Sequence, residues 1–354
     1  MRALVFPAPG RAEVTDVDCP KPGPGEVVVR SRVVGVCHSD LELLAGRYII
    51  PIRYPVTPGH EWAGEVAELG PGVEGLRPGD PVVGECVVGP GGRDHFGFSI
   101  SGAAAEHFTA RAEWLHKLPA ALTFTQGALV EPFSVAYAAV GTAAIDPSDR
   151  VAVLGAGPIG LLSAMAAVGR NAAVTLIEPR PDRRAKGREL GVAHVLDPAA
   201  GDLPEQAREL TDGQLFDVVI ESAGHPEAMA QALTIAGNRA RIVYVGIDVG
   251  GKVPAQLGLI QARSLRIQGI VGSAGIWPQA IRFLASGVVD PTPIVTARFP
   301  LDSAVEALGA ASLGSGNIKV HIEAPARRRP SFMPPATFGS SRSPSQRSQG
   351  RVSC

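Results

Sequence analysis

No run of this sequence stays apolar for the roughly 18 to 20 residues that a membrane crossing takes, so no spanning helix is expected. The opening Met1-Arg-Ala-Leu-Val-Phe-Pro7 has one positive charge and a short apolar stretch, which is too little for a signal peptide. Cysteine is scarce. Cys19, Cys37, Cys86 and Cys354 are too few and too scattered for a disulfide framework, and a reducing cytoplasm is the simplest setting. Internal repeats are lacking as well. No sign of charge dominates the whole chain, whose net charge is −1. The segment 324–354 nevertheless holds six arginines (Arg327, Arg328, Arg329, Arg342, Arg347, Arg351) and no acid, which leaves −7 on residues 1–323. A moderately acidic body gives no reason to expect a nucleic-acid partner.

What is present fits two domains, since 354 residues are enough for two separate cores. The first part reads as β-rich, with short runs at 3–6, 27–36, 64–69, 81–84 and 103–109 punctuated by proline and glycine. A helical stretch over about 123–144 follows. From about residue 147 the texture changes to apolar strands (151–154, 173–177, 195–196, 217–220, 242–245, 265–270) alternating with helical segments. That alternation means a parallel sheet covered on both faces. Later helices at 278–285 and 302–311 and a strand at 318–322 are expected to return to the first domain, making it discontinuous (1–146 and 275–323) around an insert at 147–274. Proline, serine, arginine and glycine dominate from 324 on. That tail reads as a disordered extension, the alternative being a basic interaction arm.

Gly155-Ala-Gly157-Pro158-Ile159-Gly160 directly follows a strand and opens a helix, and Glu178 closes the next strand. This is the dinucleotide fingerprint in its full strand–helix–strand setting. Gly155 permits the tight turn, Gly157 admits the pyrophosphate and Gly160 lets the helix sit close to the strand. The helix N-terminus then offers unpaired N–H groups to phosphate. Glu178 can accept hydrogen bonds from the ribose hydroxyls and would repel a 2′-phosphate, which favours NAD. Arg180, Arg183 and Arg184 lie just beyond and leave NADP open.

Three distant residues complete the chemistry. Cys37, His60 and Glu131 supply a thiolate, an imidazole and a carboxylate, a donor set suited to a catalytic zinc that keeps one position open. Two anionic ligands balance the divalent charge, and the metal eases deprotonation of a bound alcohol. Glu131 precedes Pro132, which disfavours helix at Glu131 itself and suits a first helical turn at Pro132, so its carboxylate also fits a plain helix-start charge.

The stretch Gly59-His60-Glu61-x-x-Gly64-x5-Gly70-x-x-Val73 carries a specific resemblance. With Cys37-His-Ser-Asp40 and Ala128-Leu-Val-Glu131-Pro-Phe-Ser-Val135, residues 1–323 resemble the zinc-dependent medium-chain dehydrogenase/reductase family, in its polyol (sorbitol) dehydrogenase branch. The resemblance implies an α/β molecule: a GroES-like β-rich catalytic domain plus a doubly wound Rossmann sheet, with the site in the cleft between. It implies zinc on Cys37, His60 and Glu131, with water or Glu61 at the remaining position. Ser39 then begins a proton relay, although it also suits a helix cap. Asp40 orients His60. Glu42 stands where many relatives place the last relay histidine, so either it is the base or protons leave by another route. Cys86 is alone where many relatives carry four cysteines, so no structural zinc is expected. Tyr48, Ile49, Arg53, Trp62, Phe96 and Ile276 are candidate pocket residues.

The expected activity is hydride transfer between NAD and the carbinol carbon of a secondary alcohol (a polyol, cyclitol, sugar or small diol), or the reverse. The partners are then a small alcohol or ketone and further copies of the chain, as homodimer or homotetramer, with strand 265–270 pairing across the interface as in relatives. A metal-free NADPH-dependent quinone or enoyl reductase and a non-enzymatic nucleotide-binding protein are the alternatives.

Overall fold

The computed structural model describes residues 1–47, 50, 52–273, 275–312 and 316–324. The arginine-rich tail beyond 324, with Cys354, lies outside the described residues, as do Tyr48 and Ile49. No helix among the described residues is long and apolar enough to cross a membrane.

The β-branched strand Glu26–Val36 is the axis of the first sheet. It pairs antiparallel with Glu61–Leu69, with His107–Arg111 and with the late strand Lys319–Glu323. The sheet continues through Pro81–Gly84 and Leu115–Lys117 on one side and Val295–Pro300 on the other, so strands from both ends of the chain share it. Its core gathers Leu4, Phe6, Val34, Trp62, Phe96, Phe108, Val320 and Ile322. Trp62, Phe96 and Phe108 form an aromatic cluster with ring centroids 4.7–6.0 Å apart. Trp62 and Phe96 are thus core residues, because their large rings fill this layer.

The second sheet is parallel, in the order His194–Leu196, Ala173–Ile177, Arg150–Leu154, Phe216–Glu221, Ala236–Tyr244, Arg266–Gly269. Val151, Ala152, Val153 and Leu154 are all buried, as a strand covered on both faces requires. The strand order reverses direction between Arg150–Leu154 and Phe216–Glu221, where ligands bind outside the carboxyl ends in such sheets.

The two sheets meet through one apolar cluster. It joins Val33, Ala63, Val83 and Leu118 of the first sheet to Val151, Val153 and Val218 of the second by way of the helix Val130–Thr142. That helix packs against both Pro158–Val168 and Trp277–Ala285. The helical stretch read at 123–144 is two helices, Phe124–Ala128 and Val130–Thr142, separated at Leu129. Glu131 lies inside the second helix despite the following proline. A first-turn proline leaves no intrahelical bond unmade, and the buried neighbours Val130 and Phe133 fix the turn. The partner strand Arg11–Asp16 and the short ribbon Val87–Val88/Asp94–His95 had no clear sequence signal.

Arg150 locks the start of its strand to Phe216–Glu221. Its backbone N–H and its guanidinium Nε and Nη2 all donate to the Asp217 carboxylate, at 2.9, 2.8 and 3.0 Å. Hydrogen bonding from Arg150 holds the Asp217 pKa below its usual value. The stabilisation is therefore present above the unfolded pKa and lost as pH falls through the lower folded one. Asp217→Asn is expected to lower the thermal midpoint at pH 7 by about 2–4 °C. The gap should persist down to about pH 4 and close only below it, as thermal scans across pH will read.

Candidate metal and nucleotide site

Strand Glu26–Val36 delivers Cys37 to the N-cap of the short helix His38–Leu44. The Asp40 carboxylate closes that turn by accepting the Cys37 backbone N–H at 2.9 Å. Its other oxygen lies 3.4 Å from His60 Nδ1, and both groups are nearly inaccessible to solvent. On the opposite side of the ring, Ser39 Oγ is 3.4 Å from His60 Nε2. Phe98 lies against the imidazole, with ring centroids 4.9 Å apart. Burial disfavours the charged imidazolium, but the Asp40 carboxylate outweighs it and holds the pKa of His60 well above its ordinary value.

Cys37, His60 and Glu61 bring one donor atom each to within 4.8 Å of one another. Glu131 is not in that group, but its buried carboxyl feels the charges of His60, Glu61, Lys319 and Asp40. Burial pushes Glu131 up to about 7, with Glu61 and Asp40 adding to the rise against the opposing pull of His60 and Lys319. Acids crowded in this way favour a cation among them, and thiolate, imidazole and carboxylate are the donors zinc takes. Asp40 Oδ1 and His60 Nδ1, both buried, lack a properly formed hydrogen bond. These residues fit a divalent ion. Cys86 lies within the same field, and burial raises its thiol to about 12.

Sequence reasoning missed three contributors. Lys319 donates to both oxygens of Glu61, at 2.8 and 2.7 Å, and to the Val36 carbonyl at 3.2 Å. A lysine and a histidine alternating with Ile318, Val320 and Ile322 were the available signal. Ser134 donates to the Glu131 carbonyl at 2.6 Å, and Ser273, which accepts from Trp277 Nε1 at 3.2 Å, lies 2.6 Å from Ser134 Oγ. The helix turn that carries Glu131 is thereby tied to the segment following the second sheet's last strand. Glu42 lies half-buried, held by Arg47 at 2.9 and 3.2 Å and 3.6 Å from His38 Nε2. Among the remaining pocket candidates, Arg53 donates its backbone N–H to the Phe98 carbonyl at 3.2 Å, and Ile276 caps the helix Trp277–Ala285.

At the glycine turn, a Cβ on Gly160 would fall 2.0 Å from the Gly155 carbonyl oxygen, so no other residue fits there. Gly157 caps the helix Pro158–Val168, and no side chain hydrogen-bonds to that cap. Glu178 is buried and accepts the backbone N–H groups of Ala156 at 2.7 Å and Arg180 at 3.0 Å. Arg180 is paired with Asp182, and Arg184 with Asp197. Arg183 differs from both. Its guanidinium reaches to 4.0 Å from the place a Gly157 Cβ would take, and its Nε is buried without a hydrogen-bond partner. The turn, the open helix end and Arg183 fit a dinucleotide.

Comparison with known proteins agrees with this geometry. Residues 23–120 match the family described as alcohol dehydrogenase GroES-like domain, and residues 158–286 match zinc-binding dehydrogenase. The chain is 32% identical to sorbitol dehydrogenase of Ovis aries over 91% of its own length and 96% of that protein. It is 34% identical to (R,R)-butanediol dehydrogenase of Bacillus subtilis over 87% and 95%. The crystal structure of 2R,3R-butanediol dehydrogenase from Bacillus subtilis superposes with a TM-score of 0.84 at 31% identity, covering 91% of this chain and 99% of that one. The chain belongs to the zinc-type alcohol dehydrogenase family of medium-chain oxidoreductases, with a GroES-like domain and a Rossmann sheet.

Asp40→Asn is expected to weaken zinc binding by about 10–100-fold while the chain stays folded, because an amide can still accept the Cys37 N–H but cannot balance the ring opposite. Competition against a chromogenic chelator measures it.

Proposed function

We propose that this enzyme oxidises a secondary alcohol of a polyol, cyclitol, sugar or small diol with NAD, or runs the reverse reduction, in the cytoplasm. The observation that carries the reading is the convergence of Cys37, His60 and Glu61 on one buried point, with Glu131 beside them on a helix that packs against the helix opening at the glycine turn. Cys37, His60 and Glu131 would hold a single catalytic zinc, with water or Glu61 at the remaining position, and Cys86 alone would not build a structural zinc site. Bound there, the metal supplies the Lewis acidity that makes an alcohol proton easy to lose. A bound NAD would supply the hydride acceptor.

The chain's own groups do the rest. Ser39 Oγ, buried beside His60, takes the hydroxyl proton and passes it outward. Asp40 fixes the imidazole by facing its Nδ1. Glu42, three residues along the same helix and flanked by His38 and Arg47, forms the outer end of the proton path. Gly155, Gly157, Pro158, Ile159 and Gly160 would cradle the pyrophosphate of a bound dinucleotide. Glu178 and Arg183 would serve the adenosine ribose, and the Glu178 carboxylate would select against a 2′-phosphate. Arg266–Gly269, an exposed edge strand followed by the exposed Val271, pairs with its counterpart in a second copy, giving a homodimer or homotetramer.

Cys37→Ala is expected to abolish both bound zinc and turnover on a polyol panel while NADH affinity, read by fluorescence, stays unchanged. Turnover that survives this change or stringent chelation would overturn the proposal. On the wild-type enzyme, kcat/KM with NAD should exceed that with NADP. A ratio below one would reverse the assignment of Glu178 and Arg183.

A further inference from the structure

Lys319 is a lysine with almost no water around it. It belongs to the strand Lys319–Glu323, in which Val320 and Ile322 face the core of the first sheet. Lys319 and His321 alternate to the other face, and both are buried. The ammonium has three N–H groups and three partners: the two Glu61 oxygens at 2.8 and 2.7 Å and the Val36 carbonyl at 3.2 Å. His321 adds no charge to this pocket. Burial, helped by the charges of Lys319 and Arg298, pushes its pKa down to about 3. Gly35 leaves the room that the Glu61 carboxylate needs, because a Cβ there would lie 2.2 Å from its Oε2.

This restraint falls on a residue that can reach the metal. A Glu61 oxygen is already within 4.8 Å of the Cys37 and His60 donor atoms. A buried carboxylate at that range is drawn strongly to a divalent ion unless another cation holds it. Were it to bind along with Cys37, His60 and Glu131, the site would have four protein ligands. That is the closed arrangement of a structural zinc, with nowhere for an alcohol to enter.

Building on the zinc reading above, we infer that Lys319 is a positioning residue that ties Glu61 back from the metal and so keeps one coordination position open for the substrate. The pair is then not a stability device. Buried ion pairs contribute little net stability, and this one acts by choosing which carboxylate the metal receives.

The test measures zinc release from the metal-loaded protein to a chromogenic chelator, alongside the visible spectrum of the cobalt-substituted protein. Lys319→Met should slow zinc release by about tenfold and make the cobalt bands unresponsive to added imidazole, which needs an open position. Lys319→Arg, which keeps the charge, should behave as wild type. Release at the wild-type rate or faster from folded Lys319→Met, with cobalt bands that still respond to imidazole, overturns the inference. If that variant does not fold, Glu61→Gln decides. Zinc release within about twofold of wild type fits a carboxylate held off the metal, whereas release about tenfold faster makes Glu61 a ligand in the native enzyme and overturns it. Failure of the zinc reading itself would look different: wild-type protein would take up no zinc, or Cys37→Ala would bind it as well as wild type.

Discussion

Negative charge taken out of water is the constraint around which this molecule is organised. Asp40 and Glu61 are carboxyl groups with almost no solvent access, and the partly buried Glu131 and Cys37 join them. One lysine and one imidazole are the cations set against them. Left to itself such a cluster must hold protons, as Glu131 does by titrating near 7. A divalent ion removes the need. The two sheets can be seen as the frame that brings these groups together from four distant parts of the chain and keeps water away.

Much of this was legible before any coordinates. The strand–glycine turn–helix run at 151–168 has local chemistry that admits one reading, because each glycine answers a steric demand within its own turn. Cys37 and His60 were legible only jointly: each alone fits a packed cysteine or an ordinary histidine, and their pairing beside a dinucleotide turn gives them a meaning that comes from a metal. Where the helix begins at Glu131 was ambiguous, because a residue before proline is disfavoured in a helix while proline itself suits a first turn. Packing of Val130 and Phe133 resolves it.

What stayed hidden depended on long-range pairing. Lys319 has no local motif, and its role exists only because Lys319–Glu323 lies antiparallel to Glu26–Val36, which in turn borders Glu61–Leu69. Trp62 and Phe96 were candidate pocket residues, yet pack edge-on with Phe108 in the core. Ser134 and Ser273 could not be linked from sequence, being 139 positions apart. Side chains whose partners come from another strand or another sheet are the ones a linear reading loses.

The placement of Lys319–Glu323 beside Glu26–Val36 also bears on how the molecule is made. Cys37 and His60 emerge early in translation, whereas the strand that completes their sheet and supplies the buried ammonium emerges some 260 residues later, after the whole parallel sheet. The nascent first sheet must therefore wait with an open edge and an unmatched acid beside Gly35. The parallel sheet, whose strands all lie between Arg150 and Gly269, can close in the meantime. Closure of the pocket around Cys37, His60 and Glu61 thus depends on a strand that is made late.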